Sequence, residues 1–233
     1  MNPYISSIVT KIFPKKSRAR RLQYQWLSQL EFSFAKNEKV LDLGGVANAE
    51  YHRLLQLCPE QMLVWNFDPS SKPDQIVDLE KIEKLPPLPP ACKGIIALNL
   101  LEHLYKPFDL LEWACKQLPS EGKILLLVPF HYPIHPSPKD YWRITPQAFE
   151  RFFSDLAKEN VRGKYFIASL GEDLREGANL ITANLFKASP WHRVLGTWIE
   201  WKLWLLSKFI PKSKLKNWVA ENPVSIGVLW TRD

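Results

Sequence analysis

Glu38-Lys-Val-Leu-Asp-Leu-Gly-Gly-Val-Ala-Asn48 is the stretch that decides the fold. Val40, Leu41 and Leu43 make a short apolar strand that carries an acid, Asp42, and runs into Gly44 and Gly45. Residues 49–57 then read as a helix. Two residues without side chains at such a turn let the backbone approach a bound nucleotide closely. The next strand ends in a second acid, Asp68, and a carboxylate there can accept hydrogen bonds from ribose hydroxyls, as in doubly wound nucleotide folds. The two acids and the glycine turn point to a nucleoside-containing cofactor.

Outward from this unit the pattern alternates. Strands are expected at 39–43, 62–67, 75–79, 94–100 and 123–129, each short and mostly apolar, as strands are when helices cover both faces of a parallel sheet. Helices are expected at 18–35, with Leu22, Trp26, Leu27 and Leu30 on one face, at 49–57, and at 108–118 after Pro107. Another should cover 146–157, with Thr145 as N-cap and Pro146 in the first helical position. Strands near 161–170 and 224–231 complete an α/β, doubly wound sheet. Leu85-Pro-Pro-Leu-Pro-Pro90 is read as a stiff connection rather than a polyproline ligand.

Composition narrows the function classes. The 233 residues suit one domain with an embellishment, and 46% hydrophobic content with ten tryptophans excludes a disordered chain. Cys58, Cys92 and Cys115 are odd in number and widely spaced, so they form neither a disulfide framework nor a zinc pattern. No apolar run is long enough to span a membrane, and the N-terminus does not read as a signal peptide, so the cytoplasm is the expected location.

The net charge of +7 sits at the two ends. Residues 1–30 carry +6 and residues 191–217 carry +5, which leaves the remainder at −4. No nucleic-acid module accompanies this basicity, so no specific nucleic-acid partner is expected. Three segments follow: a basic N-terminal segment and helix at 1–36, an α/β domain at 37–189 and 218–233, and an inserted Trp/Lys-rich helical block at 190–217. As a helix, that block puts Arg193, Thr197, Glu200, Ser207 and Lys208 along one stripe and leaves Leu195, Trp198, Ile199, Leu205, Leu206 and Phe209 elsewhere. Two roles stay open for it. It is either a lid or homodimer helix, or, with residues 1–30, a contact with an anionic membrane surface at the inner face of the membrane.

The ordered segments Val40-Leu-Asp-Leu-Gly-Gly45, Trp65-Asn-Phe-Asp68, Ile76-Val-Asp-Leu79, Asn99-Leu-Leu-Glu-His103 and Glu121-Gly-Lys-Ile-Leu-Leu126 resemble the class I S-adenosylmethionine-dependent methyltransferases over roughly residues 38–170 and the last strand. His135-Pro-Ser-Pro-Lys-Asp-Tyr-Trp-Arg-Ile-Thr145 resembles a loop of a bacterial branch of that family. The resemblance implies a mostly parallel seven-stranded Rossmann-like sheet and S-adenosyl-L-methionine as cofactor. It implies that Gly44 and Gly45 pass beneath the amino-acid portion and that Asp42 orients the loop or the cofactor ammonium. Asp68 would hold the ribose, Asp78 and Leu79 would border the adenine, and Asn99 and Leu100 would face the methionine part. The loop implies a small or glycan-related acceptor.

Each acid has a plainer alternative, as a helix cap or turn residue. An acceptor hydroxyl needs a base, and His103, His131 and His135 fall near strand ends or the loops beyond them, with Asp140 and Arg143 beside His135 in sequence. His131 and His135 are four apart, but Pro133 and Pro136 oppose a helix there, so no metal site is expected. The chain departs from the family at Val46 and Asn48, where further glycines are usual. Asn48 tolerates a left-handed conformation, whereas β-branched Val46 does not. Either Gly45 takes the tight turn, or the pocket is partly closed and the chain is a non-catalytic binding or scaffold protein. A nicotinamide-dependent oxidoreductase is the third class, disfavoured because no G-x-G-x-x-G follows the first strand.

Overall fold

The computed structural model describes residues 16–136, 138–187 and 189–233. Its sheet contains β1 (Lys39–Leu43), β2 (Met62–Asn66), β3 (Gln75–Ile76), β4 (Cys92–Leu98), β5 (Lys123–Pro129), β6 (Gly163–Leu170) and β7 (Ser225–Arg232), in the order 3-2-1-4-5-7-6. The pairs β1–β2, β1–β4, β2–β3 and β4–β5 are parallel. β7 runs against β5, since Arg232 N–H donates to the Gly122 carbonyl near the start of β5 and Phe130 N–H to the Val224 carbonyl beyond its end. This is the doubly wound, mostly parallel seven-stranded sheet expected from the sequence.

Burial explains the arrangement. Val40, Leu41, Ile95, Ile96, Ile124 and Leu125 are all fully buried, so successive residues on both faces of the central strands are covered. Such strands require helices on each side, which is why the sequence shows near-continuous apolar runs instead of alternation.

The helices are α1 (Arg18–Leu27), α2 (Glu50–Leu54), α3 (Pro107–Gln117), α4 (Pro146–Lys158), α5 (Arg175–Lys187), α6 (Pro190–Ser207) and α7 (Lys212–Glu221). α4 begins as read: Thr145 Oγ1 accepts the Ala148 N–H at 3.2 Å, and Phe149, Phe153 and Leu156 form its buried stripe. Other elements are shorter than expected. α1 stops at Leu27, and beyond it Phe32 and Phe34 meet edge-on outside any helix. α2 ends before Gln56, which is left-handed at φ 58°. β3 covers two residues, because Asp78 turns the chain by accepting the Glu80 N–H at 3.1 Å. The block 190–217 is helical but broken at Pro211, so it forms α6 and the start of α7.

The chain divides into two compact units. One consists of Met1–Trp26, Phe130–Ile134 and Ser169–Ser225, the other of Leu27–Pro129, His135–Ala168 and Ile226–Asp233. In the first, the Arg18 guanidinium lies 2.9 Å from Glu176 and 3.2 Å from Glu172, Arg21 lies 2.6 Å from Glu200, and Gln23 donates to Ser225 at 2.9 Å. The second holds the sheet's parallel half and the pocket described next.

Candidate active site

The turn after β1 fixes the site. Gly44 has φ +72°, a left-handed value that costs an L-residue about 1–2 kcal/mol. A Cβ there would stand 2.7 Å from Leu100 Cδ1. Gly45 has a different requirement: a Cβ would fall 1.9 Å from Asp42 Oδ2. The tight turn therefore belongs to Gly44 and not to Gly45, while Asn48 takes the second left-handed position at φ 58°. Val46 has its side chain 52% exposed and is absent from the pocket wall.

Asp42 is buried under this turn. Its Oδ2 accepts the Tyr51 hydroxyl at 2.6 Å and lies 2.8 Å from His52 Nε2, which ties β1 to α2. Burial pushes its carboxyl above the usual range, with His52 and Tyr51 pulling it back. Of the two roles considered for Asp42, this geometry is that of a loop anchor. Asn66, at the end of β2, closes the turn from the other side by donating to the Gly45 carbonyl at 2.8 Å.

A pocket of about 430 Å³ opens at the C-terminal edge of β1, β2 and β4. Gly44, Asp68, Asp78, Leu79, Asn99 and Leu100 line it, together with Phe67, Glu80, His103, Leu104 and Pro138. Six of the eight sequence-predicted cofactor residues thus share one wall, and Asp42 and Gly45 stand behind it. Phe67, Glu80 and Leu104 were not foreseen. Asn99 reaches the wall through a left-handed residue, φ 51°, anchored by its N–H to the Leu127 carbonyl at 2.6 Å.

Both outer acids also serve their own turns. Asp68 accepts the Ser70 hydroxyl at 2.6 Å and the Ser70 N–H at 2.8 Å, which hold its carboxyl below the usual range. Asp78 lies 2.7 Å from Lys81 Nζ, and that contact, with the Glu80 amide, lowers its carboxyl too. A carboxylate has about four lone-pair sites, so each retains capacity for a ligand.

At the pocket's other end the 135–143 loop docks on the short turn Leu101–His103. Tyr141 N–H donates to the Glu102 carbonyl at 2.7 Å and Trp142 Nε1 to the Leu104 carbonyl at 2.9 Å. Arg143 grips Asp140 with two nitrogens, at 2.6 and 2.9 Å, and holds its carboxyl down at about 2. Asp140 in turn accepts the His135 N–H at 2.9 Å. Asp140 and Arg143 are therefore committed to shaping the loop. His103 and His135 meet edge to face, ring centres 5.1 Å apart, over the fully buried carboxylate of Glu102. Glu102 was missed as a site residue, although its adjacency to His103 was the available signal.

His131 belongs to the other unit, where its ring stacks on Phe130 and its N–H donates to the Pro223 carbonyl at 3.2 Å.

No protein-family model matches the chain, and neither does any curated protein. Solved structures do. A SAM-dependent methyltransferase from Archaeoglobus fulgidus superposes with a TM-score of 0.52 at 17% identity, over 91% of this chain and 94% of that one. The fold is the Rossmann-like methyltransferase fold. A chain from the complex between the Haloferax volcanii Trm112 methyltransferase activator and the putative methyltransferase matches with a TM-score of 0.54 at 11% identity, over 92% of this chain and 89% of that one. The plantazolicin methyltransferase BpumL, solved with SAH and a triazolic substrate analogue, gives 0.51 at 15% identity, over 99% and 90%.

Proposed function

We propose that this chain is an S-adenosyl-L-methionine-dependent methyltransferase acting on a small or glycan-related acceptor. One observation carries the reading: the strand-end pocket is lined at once by the bare Gly44 turn, two acids and the apolar pair Leu79 and Leu100. Those parts fit the proposed cofactor. A side chain at Gly44 would crowd Leu100 on the wall, while Asp68 and Asp78 offer acceptors for hydroxyls and Leu79 offers a buried apolar surface. When bound, the cofactor supplies a methyl group already activated on sulfur. The chain's part is to align an acceptor and exclude water. His103 brings an imidazole to the same wall, where a polar acceptor would enter. The glycan class rests on the resemblance of the 135–145 loop alone.

A second reading, a non-catalytic binding or scaffold protein, is favoured by the local capping engagements of Asp68 and Asp78. Thermal unfolding separates the readings, because a ligand that binds the folded chain raises its Tm. S-adenosylhomocysteine should raise Tm and NAD should not. A rise with NAD alone would identify an oxidoreductase, and no rise with either would leave the scaffold.

The proposal includes a membrane contact through α6. Trp191, Leu195, Trp198, Trp201 and Leu206 are exposed on it, and Phe209, just beyond its end, is exposed by 81%. Lys202 Nζ lies over the rings of Trp198 and Trp201, at 5.4 and 5.3 Å from their centres. Aromatic rings carrying lysine heads suit an interface between headgroups and acyl chains. Among the described residues no helix is long and apolar enough to cross a membrane. Lys11 and Lys15 of the basic N-terminal segment lie outside the described residues. Sedimentation with anionic vesicles should retain the protein and fall off as salt rises. Full recovery in the supernatant, with a doubled mass in solution, would instead make α6 a homodimer contact.

A further inference from the structure

We infer that Glu102, His103 and His135 form a binding site for one first-row divalent metal ion, of the zinc or cobalt type, at the acceptor end of the pocket. The ligand atoms of the three residues lie within 4.8 Å of one another. Glu102 Oε1 is 3.7 Å from His103 Nε2 and 3.9 Å from His135 Nε2. Those separations are too long for N–H···O hydrogen bonds, which run to about 3.2 Å. They are close to the spacing, about 3.3 Å, of neighbouring ligands on a tetrahedral ion held at about 2.0–2.1 Å. With the three ligand atoms this close, small side-chain adjustments would bring them onto one ion.

The outer contacts set the tautomers. His103 Nδ1 stands 2.5 Å from the Lys139 carbonyl oxygen, which can only accept, so the ring proton is on Nδ1 and the Nε2 lone pair is turned toward Glu102. His135 Nδ1 stands 3.1 Å from Asp140 Oδ2, a carboxylate whose charge is matched by Arg143. A proton on His135 Nδ1 would face that carboxylate and leave Nε2 directed to Glu102. Two imidazoles, one backed by a carbonyl and one by a carboxylate, converge through Nε2 on the buried carboxylate of Glu102. Metal-ligating histidines are oriented by such partners. Two imidazoles with one carboxylate suit zinc, iron, cobalt or nickel better than magnesium or calcium.

His103 lines the pocket, so an ion here would face whatever enters it. Holding and acidifying an acceptor oxygen is the role this gives the ion, and that role rests on the transferase reading. Binding of the ion does not.

The test therefore uses the metal alone, without cofactor or acceptor. Chelator-stripped full-length protein is titrated with Co²⁺ and with Zn²⁺, followed by calorimetry and by the visible ligand-field spectrum of Co²⁺. One equivalent should bind per chain with a low-symmetry, nitrogen–oxygen spectrum. His103→Ala, His135→Gln and Glu102→Gln should each lose affinity by about 100-fold or more while keeping the wild-type circular dichroism. Asp140→Asn, a positioning residue, should weaken binding by about 10–100-fold and alter the Co²⁺ spectrum without changing the stoichiometry. His192→Ala, a histidine of the other unit, should change nothing. Failure to bind one equivalent, or binding unmoved in the folded His103 and His135 variants, would overturn the site. S-adenosylhomocysteine binding, measured separately, reports on the transferase reading, so the two can fail independently.

Discussion

Gly44 and Gly45 are adjacent and chemically identical, yet different neighbours exclude a side chain at each. At Gly44 the obstacle is the left-handed backbone and the flexible end of Leu100, so Gly44→Ala should cost about 1–2 kcal/mol and narrow the pocket. At Gly45 the obstacle is the buried Asp42 carboxylate, held by Tyr51 and His52. Gly45→Ala must expel that group, and it should destabilise the protein by more than Gly44→Ala in denaturant unfolding. The opposite order would contradict this division. The glycine pair was legible in the sequence, as was the left-handed tolerance of Asn48. Which glycine turns the chain was not, because Val46 was weighed as an obstacle and its side chain instead points out to solvent. Glu102, although next to His103 in sequence, was passed over for a related reason. A carboxylate amid leucines after a strand looks like a turn residue until the 135–143 loop folds over it.

Among the elements, those with apolar periodicity were readable and those held by charge were not. α4 was found from Thr145, Pro146 and its phenylalanine stripe. α5 was missed: its register is set by Glu176, fully buried and joined to Arg18, a contact spanning 158 residues of sequence. Separating such a pair leaves an uncompensated buried charge, worth about 3–5 kcal/mol. Arg18→Met should therefore destabilise the unit containing α1 and α5 by about that much in urea unfolding. Adding Glu176→Gln should recover part of the loss, whereas additive losses would show that the two side chains do not act as a pair. Pro211 explains the break between α6 and α7, since a proline lacks the N–H a continuing helix needs.

For the whole molecule, strand order and pocket position follow from one constraint. Parallel strands buried on both faces need helical crossovers, and in open sheets ligands gather where the strands' C-terminal ends part. That is why five short apolar runs and their acids were enough to anticipate the sheet and the edge on which Gly44, Asp68, Asp78 and Asn99 meet. The division into two units was out of reach, because residues 130–134 and 169–225 join the N-terminal helix through contacts that no local pattern announces. Calorimetric titration of the intact chain with S-adenosyl-L-methionine tests the proposed cofactor pocket most directly. One equivalent should bind the wild type, and Asp68→Ala, which removes the proposed ribose acceptor, should weaken binding by about fivefold or more. Absence of any binding heat from well-folded wild type at high protein concentration, or an affinity untouched in Asp68→Ala, would contradict it.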